Sequence, residues 1–358
     1  MWRQLLDEDP KNFLTIENVL VDSKGFETIT TGLYAYVREE FETWSGMVAQ
    51  TACPYEVLQT GLDICTSSSE DKTLANFTEY IYNPANTYIQ NRWKWAYGVI
   101  TNAKEEAKLF YQEGARFFRT YAYRYLVYLY GDVPWVTQVE DNFRTDFERT
   151  PKAEVLANMI EDLEFAAKYL PENPDKVADG KLTKWVALHL LSELCNFSGD
   201  YKRAETAALE VINSSYFQLM DYRFGESKGE AGDPFSDLFK ENNQNRKSGN
   251  LESLFRAWVP GYFDIPGFVI SKEYGGRGRG QIYPLSWWLD SYEDNDMRNS
   301  PYNIRREYYY NDPDSPLFGQ KHEITEINIK KGHCYPTTTK FDYMPEDNET
   351  FNGNMKDK

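Results

Sequence analysis

The sequence predicts a mainly α-helical protein that is built from paired helices and ends in a loop-rich half. Apolar residues recur at helical spacing over most of the first 220 residues. The segment 183–213 has the pattern of two helices joined by a short turn. After about residue 220, Gly, Pro, Asn and Asp interrupt short aromatic stretches, which is typical of loops. Together these observations favour a helical scaffold that carries a variable, loop-rich face.

Two helices are predicted before the clearest one. The first lies within 30–48, and its apolar residues at helical spacing are Leu33, Val37, Phe41, Trp44 and Met47. The second lies within 86–110, and the residues that share one of its sides are Trp93, Tyr97, Ile100 and Ala103. Each pattern predicts one face that packs against a neighbour.

The clearest helix runs from Glu113 to Tyr130. Its apolar stripe consists of Ala115, Phe118, Ala122, Leu126 and Leu129. Polar residues fall on the opposite side: Glu113, Arg116, Thr120 and Arg124. Tyrosines widen the apolar surface, so we expect neighbours on more than one side, and we expect the arginines to bond locally. Gly131 can end the helix in the left-handed conformation, and Pro134 prevents it from resuming.

The helices that follow have readable start and stop signals. Thr150 is predicted as an N-cap with Pro151 at the first helical position, and Pro171 closes that helix. In the 183–213 pair, Gly199 makes the turn and Asp200 is the predicted N-cap of the second helix. Small residues face large ones across this turn, as in a tetratricopeptide-type pair, but no strict period of about 34 residues is found. Any repeat is therefore degenerate.

The charge argues against a nucleic-acid partner, and the hydropathy argues against a membrane-spanning helix and a signal peptide. The net charge is −17 and the sequence pI is near 4.8, so the phosphate backbone of a nucleic acid would be repelled. The sequence contains no apolar run of about 18 residues, so no membrane-spanning helix is predicted. The first residues, from Met1 to Asp9, are too polar for a signal peptide.

The motifs of common catalytic and metal sites are absent from the sequence. There is no G-x-S-x-G elbow, no H-E-x-x-H and no phosphate-binding Walker loop. The four cysteines lack zinc-ligand spacing, and with 56 Asp and Glu any chosen carboxylate pair is uninformative. We therefore predict no catalytic residue, no metal ligand and no cofactor, and we predict that the chain is not an enzyme. At the acidic clusters 293–296 and 346–349, a surface calcium ion stays open as an alternative to a solvated loop.

One long motif resembles the signature of a known family. The stretch Glu113-Gly-Ala-Arg-Phe-Phe-Arg119, continuing to Tyr130-Gly-Asp-Val-Pro-Trp135, is similar to the helix and turn that mark SusD/RagB proteins. Supporting segments follow in the order of that family: Ile160-Glu-Asp-Leu163, Gly180-Lys-Leu-Thr-Lys184, Gly199-Asp-Tyr201 and Asp296-Met-Arg298. The resemblance spans roughly residues 14–342 and is most specific over 93–220.

This resemblance implies a fold, a location and a partner. It implies tetratricopeptide-like helix pairs over 1–220, with a loop-rich variable region over 221–358 packed on them and shortened at the C-terminus relative to the family. It implies a lipoprotein on the surface of the outer membrane, held by an N-terminal lipid anchor that this sequence does not contain. It also implies capture of glycans, or sometimes peptides, for a SusC-like TonB-dependent porin.

The ligand-binding candidates come from the predicted loops. Sugar sites stack aromatic side chains on the apolar faces of pyranose rings and surround them with a few polar groups. The loop residues that fit this chemistry are Tyr82, Trp258, Tyr262, Phe263, Tyr274 and Arg277. Ordinary packing is the alternative role of each residue. Two other functions also stay open, which are a glycoside hydrolase and a tetratricopeptide-like module that binds only peptide or protein.

Overall fold

The computed structural model describes most of the helical part of the chain and shorter stretches beyond it. The described residues are 31–37, 62–67, 81, 83–107, 112–137, 145–240, 243, 245–254, 282–305, 316, 319–321 and 337–338. Residues 31–37 are helical. The long helices that follow are α1 (Thr87–Ala107), α2 (Gln112–Tyr130), α3 (Lys152–Tyr169), α4 (Lys184–Ser198) and α5 (Tyr201–Ile212).

The elements after α5 are short. They include the helices α6 (Pro234–Asp237) and α7 (Ser286–Asp290), with 3₁₀ turns at Glu226–Gly229, Arg246–Ser248 and Met297–Asn299. Strand β1 (Cys65–Ser67) pairs antiparallel with β2 (Ile282–Pro284), and β3 (Ile304–Arg305) pairs antiparallel with β4 (Thr337–Thr338). The prediction of a mainly α-helical protein is confirmed. The division of the chain at residue 220 stays a prediction.

The long helices pack in chain order. Each of α1 to α4 contacts the helix that follows it, and α2 also contacts α4. Contact between alternate helices is expected when helix pairs stack side by side. The turn between α4 and α5 is the predicted one, with Gly199 at φ 87° and the Asp200 side chain accepting a hydrogen bond from Arg203 N at 3.2 Å.

The core lies between these helices. On α2 the predicted stripe is buried at Ala115, Phe118, Ala122 and Leu126. Thr120, predicted on the polar side of α2, is wrongly placed there, since it is fully buried and its hydroxyl lies 3.5 Å from Met159 O. The reason is that α3 covers this side of α2 while α1 covers another. The tyrosine-rich surface of α2 therefore has neighbours on more than one side, as predicted.

The turn after α2 connects that helix to the start of α3. Gly131 has φ 73° and ends α2 in the left-handed region, where a side chain would be strained. Asp132 Oδ1 then accepts from Lys152 N at 2.8 Å and caps α3. The prediction of Thr150 as the N-cap is wrong, because the Thr150 hydroxyl accepts instead from Trp135 N at 3.3 Å. The cap comes from a residue 20 positions earlier in the chain.

A carbonyl in the same turn joins α1 and α2. Pro134 O accepts from Tyr97 Oη on α1 at 3.0 Å and from Tyr123 Oη on α2 at 2.8 Å. The Tyr123 hydroxyl also accepts from Val136 N at 2.7 Å. Both lone pairs of the carbonyl are thus used, and the buried backbone of the turn is satisfied by side chains.

A buried ion pair connects α2 to α3. Arg119 donates through Nε to Asp162 Oδ2 at 2.8 Å and through Nη2 to Oδ1 at 2.7 Å, with side-chain exposures of 9% and 6%. Burial raises the pKa of Asp162, while Arg119, and Arg116 at 3.6 Å, act against that rise. The expectation that the arginines of α2 bond locally is wrong, because Arg119 reaches 43 residues along the chain and Arg124 reaches 69 residues, to Glu193.

Replacing Asp162 by Ala should lower the free energy of unfolding by about 3–5 kcal/mol, because the Arg119 guanidinium would stay buried without its carboxylate. Urea denaturation followed by circular dichroism measures the loss. Glu164→Ala is the matched control on the same helix, since its ion pair with Arg203 is about half exposed and should contribute roughly 0–1 kcal/mol. Equal losses in the two variants would contradict the assignment.

Tyr123→Phe should destabilise the protein by about 1–3 kcal/mol, because it leaves the buried Val136 N–H without an acceptor. Tyr97→Phe removes one of two donors to Pro134 O and should cost only about 0.5–1.5 kcal/mol. The comparison uses midpoints of denaturant unfolding. A larger loss in Tyr97→Phe than in Tyr123→Phe would show that the turn is held differently.

Candidate functional site

The predicted ligand-binding residues lie in two parts of the chain. Neither Tyr82 nor the segment 255–281 belongs to the described residues. The candidates that therefore lie outside the described residues are Tyr82, Trp258, Tyr262, Phe263, Tyr274 and Arg277. Their assignment stays a prediction, and the structure instead shows how the chain on either side of them is held.

Both flanks of the segment 255–281 are anchored. Leu254, just before it, packs against the helical core. Just after it, Ile282–Pro284 pairs with Cys65–Ser67, and Leu285 N donates to Ile64 O at 2.9 Å. Loops held at both ends on a rigid body can present side chains to a ligand in fixed positions.

The chain around Tyr82 leads directly into α1. Ile81 is 53% exposed. The Asn83 side chain accepts from Ala85 N at 2.8 Å, and the Asn86 side chain accepts from Tyr88 N at 2.9 Å. The two asparagine side chains thus accept hydrogen bonds from backbone N–H groups just before the helix and in its first turn. The helix start that follows Tyr82 in the sequence is therefore well defined.

The segment 282–305 is fixed at its far end by a polar junction. The Asp233 carboxylate, which caps α6, accepts from Asn303 Nδ2 at 3.1 and 2.9 Å and from Ser300 Oγ. Within the 3₁₀ turn of this segment, Asp296 accepts from Arg298 Nε at 2.9 Å, and the guanidinium lies 5.0 Å from the Tyr292 ring. These contacts hold 296–303 against the chain around α6.

One aromatic residue of this segment is well exposed. Trp287 is 53% exposed, while Leu289, two residues later, is 2% exposed. The Trp287 Nε1–H donates to Asp63 O at 3.0 Å across 224 residues of sequence. No ligand-binding residue was predicted in α7. In a short helix, a tryptophan two positions before an apolar leucine indicates that the two side chains lie on opposite sides, so that one of them is exposed.

A second aromatic group lies where α1, α2 and the turn meet. Tyr123 contacts Trp135 with ring centroids 4.4 Å apart, and Trp93 contacts Tyr97 at 4.9 Å and Tyr130 at 5.0 Å. Burial raises the pKa of Tyr97 and Tyr123 and raises that of Tyr130 to about 12. Their hydroxyls are therefore neutral donors at physiological pH, and each already bonds a backbone carbonyl. This group is structural.

A third group joins α2 to α4 at the surface. Tyr128 Oη donates to Glu193 Oε1 at 2.9 Å, and Arg124 Nη1 lies 3.3 Å from Glu193 Oε2. The exposed Phe197 ring packs on Tyr128 at 4.3 Å. Burial, together with Glu193, raises the pKa of Tyr128. These polar atoms bond one another, so the group stabilises the contact between alternate helices.

The described residues do not assemble a metal or acid–base centre. Within the ranges that the structure describes, no three His, Cys, Asp or Glu side chains lie close enough together to hold a metal ion. Asp162 has a raised pKa, but it is buried and bonded to Arg119, so it has no route to a substrate.

Comparison with known proteins finds a related family. The model of a SusD-like family, described as "Starch-binding associating with outer membrane", matches residues 42–195, a stretch that contains α1 to α3 and the turn after α2. The chain is thus similar to the SusD/RagB family in this stretch. The segment that resembles the SusD signature contains this turn. Its Asp132 side chain caps α3, and its Pro134 carbonyl accepts hydrogen bonds from Tyr97 and Tyr123. The role of the signature is therefore structural.

Relatives support the same family at low identity. Two SusD-like proteins of Formosa agariphila are 26% identical over 284 residues and 21% identical over 271 residues, which is 75% and 67% of this chain. The chain spans about half the length of these curated relatives, with 51% and 46% of them covered. A SusD superfamily protein of Bacteroides thetaiotaomicron has the same fold, with a TM-score of 0.64, 15% identity and coverage of 95% of this chain and 72% of that one.

Of the helices in the described ranges, none is both long and apolar enough to cross a membrane.

The raised pKa of a buried tyrosine predicts that the protein loses stability at alkaline pH. Burial raises the pKa of Tyr130 from 10.0 to about 12, so the folded state keeps a proton that the unfolded state releases. This stabilisation is complete below the unfolded value and is lost as the pH rises toward the folded one. Urea unfolding between pH ~8 and ~11 should show the decline, and Tyr130→Phe should make it shallower. An unchanged pH dependence in that variant would exclude this cause.

Proposed function

We propose that this SusD/RagB protein captures oligosaccharide or polysaccharide at the cell surface and delivers it to a SusC-like TonB-dependent transporter, without chemical turnover. The observation that carries this proposal is the match of residues 42–195 to a family described as starch-binding and associated with the outer membrane. We also propose a surface-exposed lipoprotein, held in the outer membrane by an N-terminal lipid anchor. No cofactor or metal is needed for this function.

The scaffold suits a binding protein for a physical reason. The buried Arg119–Asp162 pair and the Tyr–Pro134 hydrogen bonds hold α1, α2 and α3 in one arrangement. On this scaffold, Leu254 and the β1–β2 pair anchor the two flanks of the aromatic-rich segment 255–281. A ligand site held in this way loses little conformational entropy on binding. We propose that the loop-rich region 221–358 forms the ligand-binding face.

The chemistry of the loops favours a sugar as the ligand. Tyrosine and tryptophan present flat apolar faces together with a polar group, which fits the apolar face and hydroxyl rim of a pyranose ring. We propose that Trp258, Tyr262, Phe263, Tyr274, Arg277 and Tyr82 contribute these contacts. A hydrolase would need an accessible carboxylate pair, whereas Asp162 is buried in an ion pair with Arg119.

Calorimetric titration against soluble starch, pullulan, laminarin and xyloglucan tests the proposal. We expect saturable binding to at least one of them with no new reducing ends. Trp258→Ala and Tyr262→Ala should each weaken binding about tenfold, or roughly 1.4 kcal/mol. Tyr201→Ala is the control, since this residue is 70% exposed on α5 and is not one of the proposed contacts.

Three results would contradict parts of this proposal. Release of reducing ends would show an enzyme instead of a binding protein. Binding of peptides with no binding of glycans would favour the peptide-binding alternative. Normal glycan binding in both loop variants would show that the assigned residues are wrong while the function stands.

A further inference from the structure

Trp287 is held in a fixed position while half of it stays exposed. It lies in the first turn of α7, immediately after strand β2. Its Nε1–H donates to Asp63 O at 3.0 Å, and the backbone beside it is held by the bond from Leu285 N to Ile64 O at 2.9 Å. Even so, 53% of the residue is exposed, and Leu62, next to Asp63, is 47% exposed.

The core contact of α7 is made by another residue. Leu289, at 2% exposure, is its buried residue, so the exposed part of Trp287 remains at the surface. Because the indole N–H is already bonded within the protein, the exposed surface of the ring offers apolar contact to a partner. A ring held in one orientation loses little entropy when a ligand binds to it.

The polar groups around the ring indicate which ligand it would accept. Positions 290 and 291 lie three and four residues after Trp287, so they share its side of the helix. Asp290 and Ser291 are exposed there, and Asp63 is exposed on the facing segment. Carboxylates accept hydrogen bonds from sugar hydroxyls, but they repel carboxylate or sulfate groups at short range. The net charge of −17 acts in the same direction.

We propose that Trp287 is a stacking platform for a neutral pyranose ring, and that Asp63 and Asp290 select neutral glycans over uronate-containing or sulfated ones. The inference rests on the proposed glycan-binding function and adds to it a contact residue outside the 255–281 loop and a charge class for the ligand.

The test compares Trp287→Ala and Trp287→Phe with the control Tyr201→Ala. Calorimetry uses soluble starch, pullulan, laminarin and xyloglucan as neutral probes, and alginate and polygalacturonate as anionic ones. We expect Trp287→Ala to bind the neutral probe about tenfold more weakly. Trp287→Phe keeps an apolar ring and should stay within about threefold of the wild type, which is under 1 kcal/mol. The wild type should not bind the anionic probes.

A second readout keeps the test valid if Trp287→Ala folds poorly. Saturating neutral glycan should slow the oxidation of Trp287 by N-bromosuccinimide in the wild type, as measured for that residue by peptide mass spectrometry. In Trp287→Phe, whose helical circular dichroism should match the wild type, glycan should protect one tryptophan fewer. Oxidation of Trp287 at the same rate with and without glycan would overturn the proposal.

The remaining outcomes separate this inference from the proposed function. If the wild type binds a neutral glycan and Trp287→Ala binds it equally well, the platform is wrong and the proposed function stands. Tighter binding of alginate or polygalacturonate than of neutral probes would overturn the charge selection. No saturable binding to any glycan would overturn the proposed function and this inference together.

Discussion

The turn from Gly131 to Val136 is the constraint on which the helical scaffold depends. Asp132 caps α3, Pro134 O accepts hydroxyls from α1 and α2, and Val136 N returns a hydrogen bond to Tyr123. The polar groups of this turn are thus bonded to α1, α2 and α3 together. An altered crossing of any helix would leave a buried donor or acceptor without its partner, which costs more than the bond contributes when formed. The turn therefore sets how α1, α2 and α3 meet.

The Arg119–Asp162 pair adds a second condition on the same contact. A buried ion pair contributes little net stability, because desolvation offsets most of its attraction, but a broken one is strongly unfavourable. Such a pair therefore penalises alternative packings of α2 on α3 more than it strengthens the observed packing. Together with the turn, it favours one arrangement of α1, α2 and α3.

The proposed ligand contacts lie outside this turn in the chain, and a different set of bonds supports the region around them. The β1–β2 pair and the Trp287–Asp63 bond join chain segments more than 200 residues apart in sequence, and β2 follows the segment 255–281 in the chain. In the proposed function the two roles of the chain are separate: the segment that resembles the SusD/RagB signature maintains the scaffold, whereas aromatic groups outside it bind the ligand. Signature residues and ligand contacts can then change independently.

Sequence alone determined the helices, their order and several of their ends. Helical periodicity and the conformations open to Gly131 and Gly199 are local properties, so they can be read without a structure. Tertiary structure decided which side of a helix is covered and which polar groups meet. It buried Thr120 under α3, took the cap of α3 from Asp132, and placed Trp287 beside Asp63. These outcomes depend on residues 20 to 224 positions apart, and no local pattern records such partners.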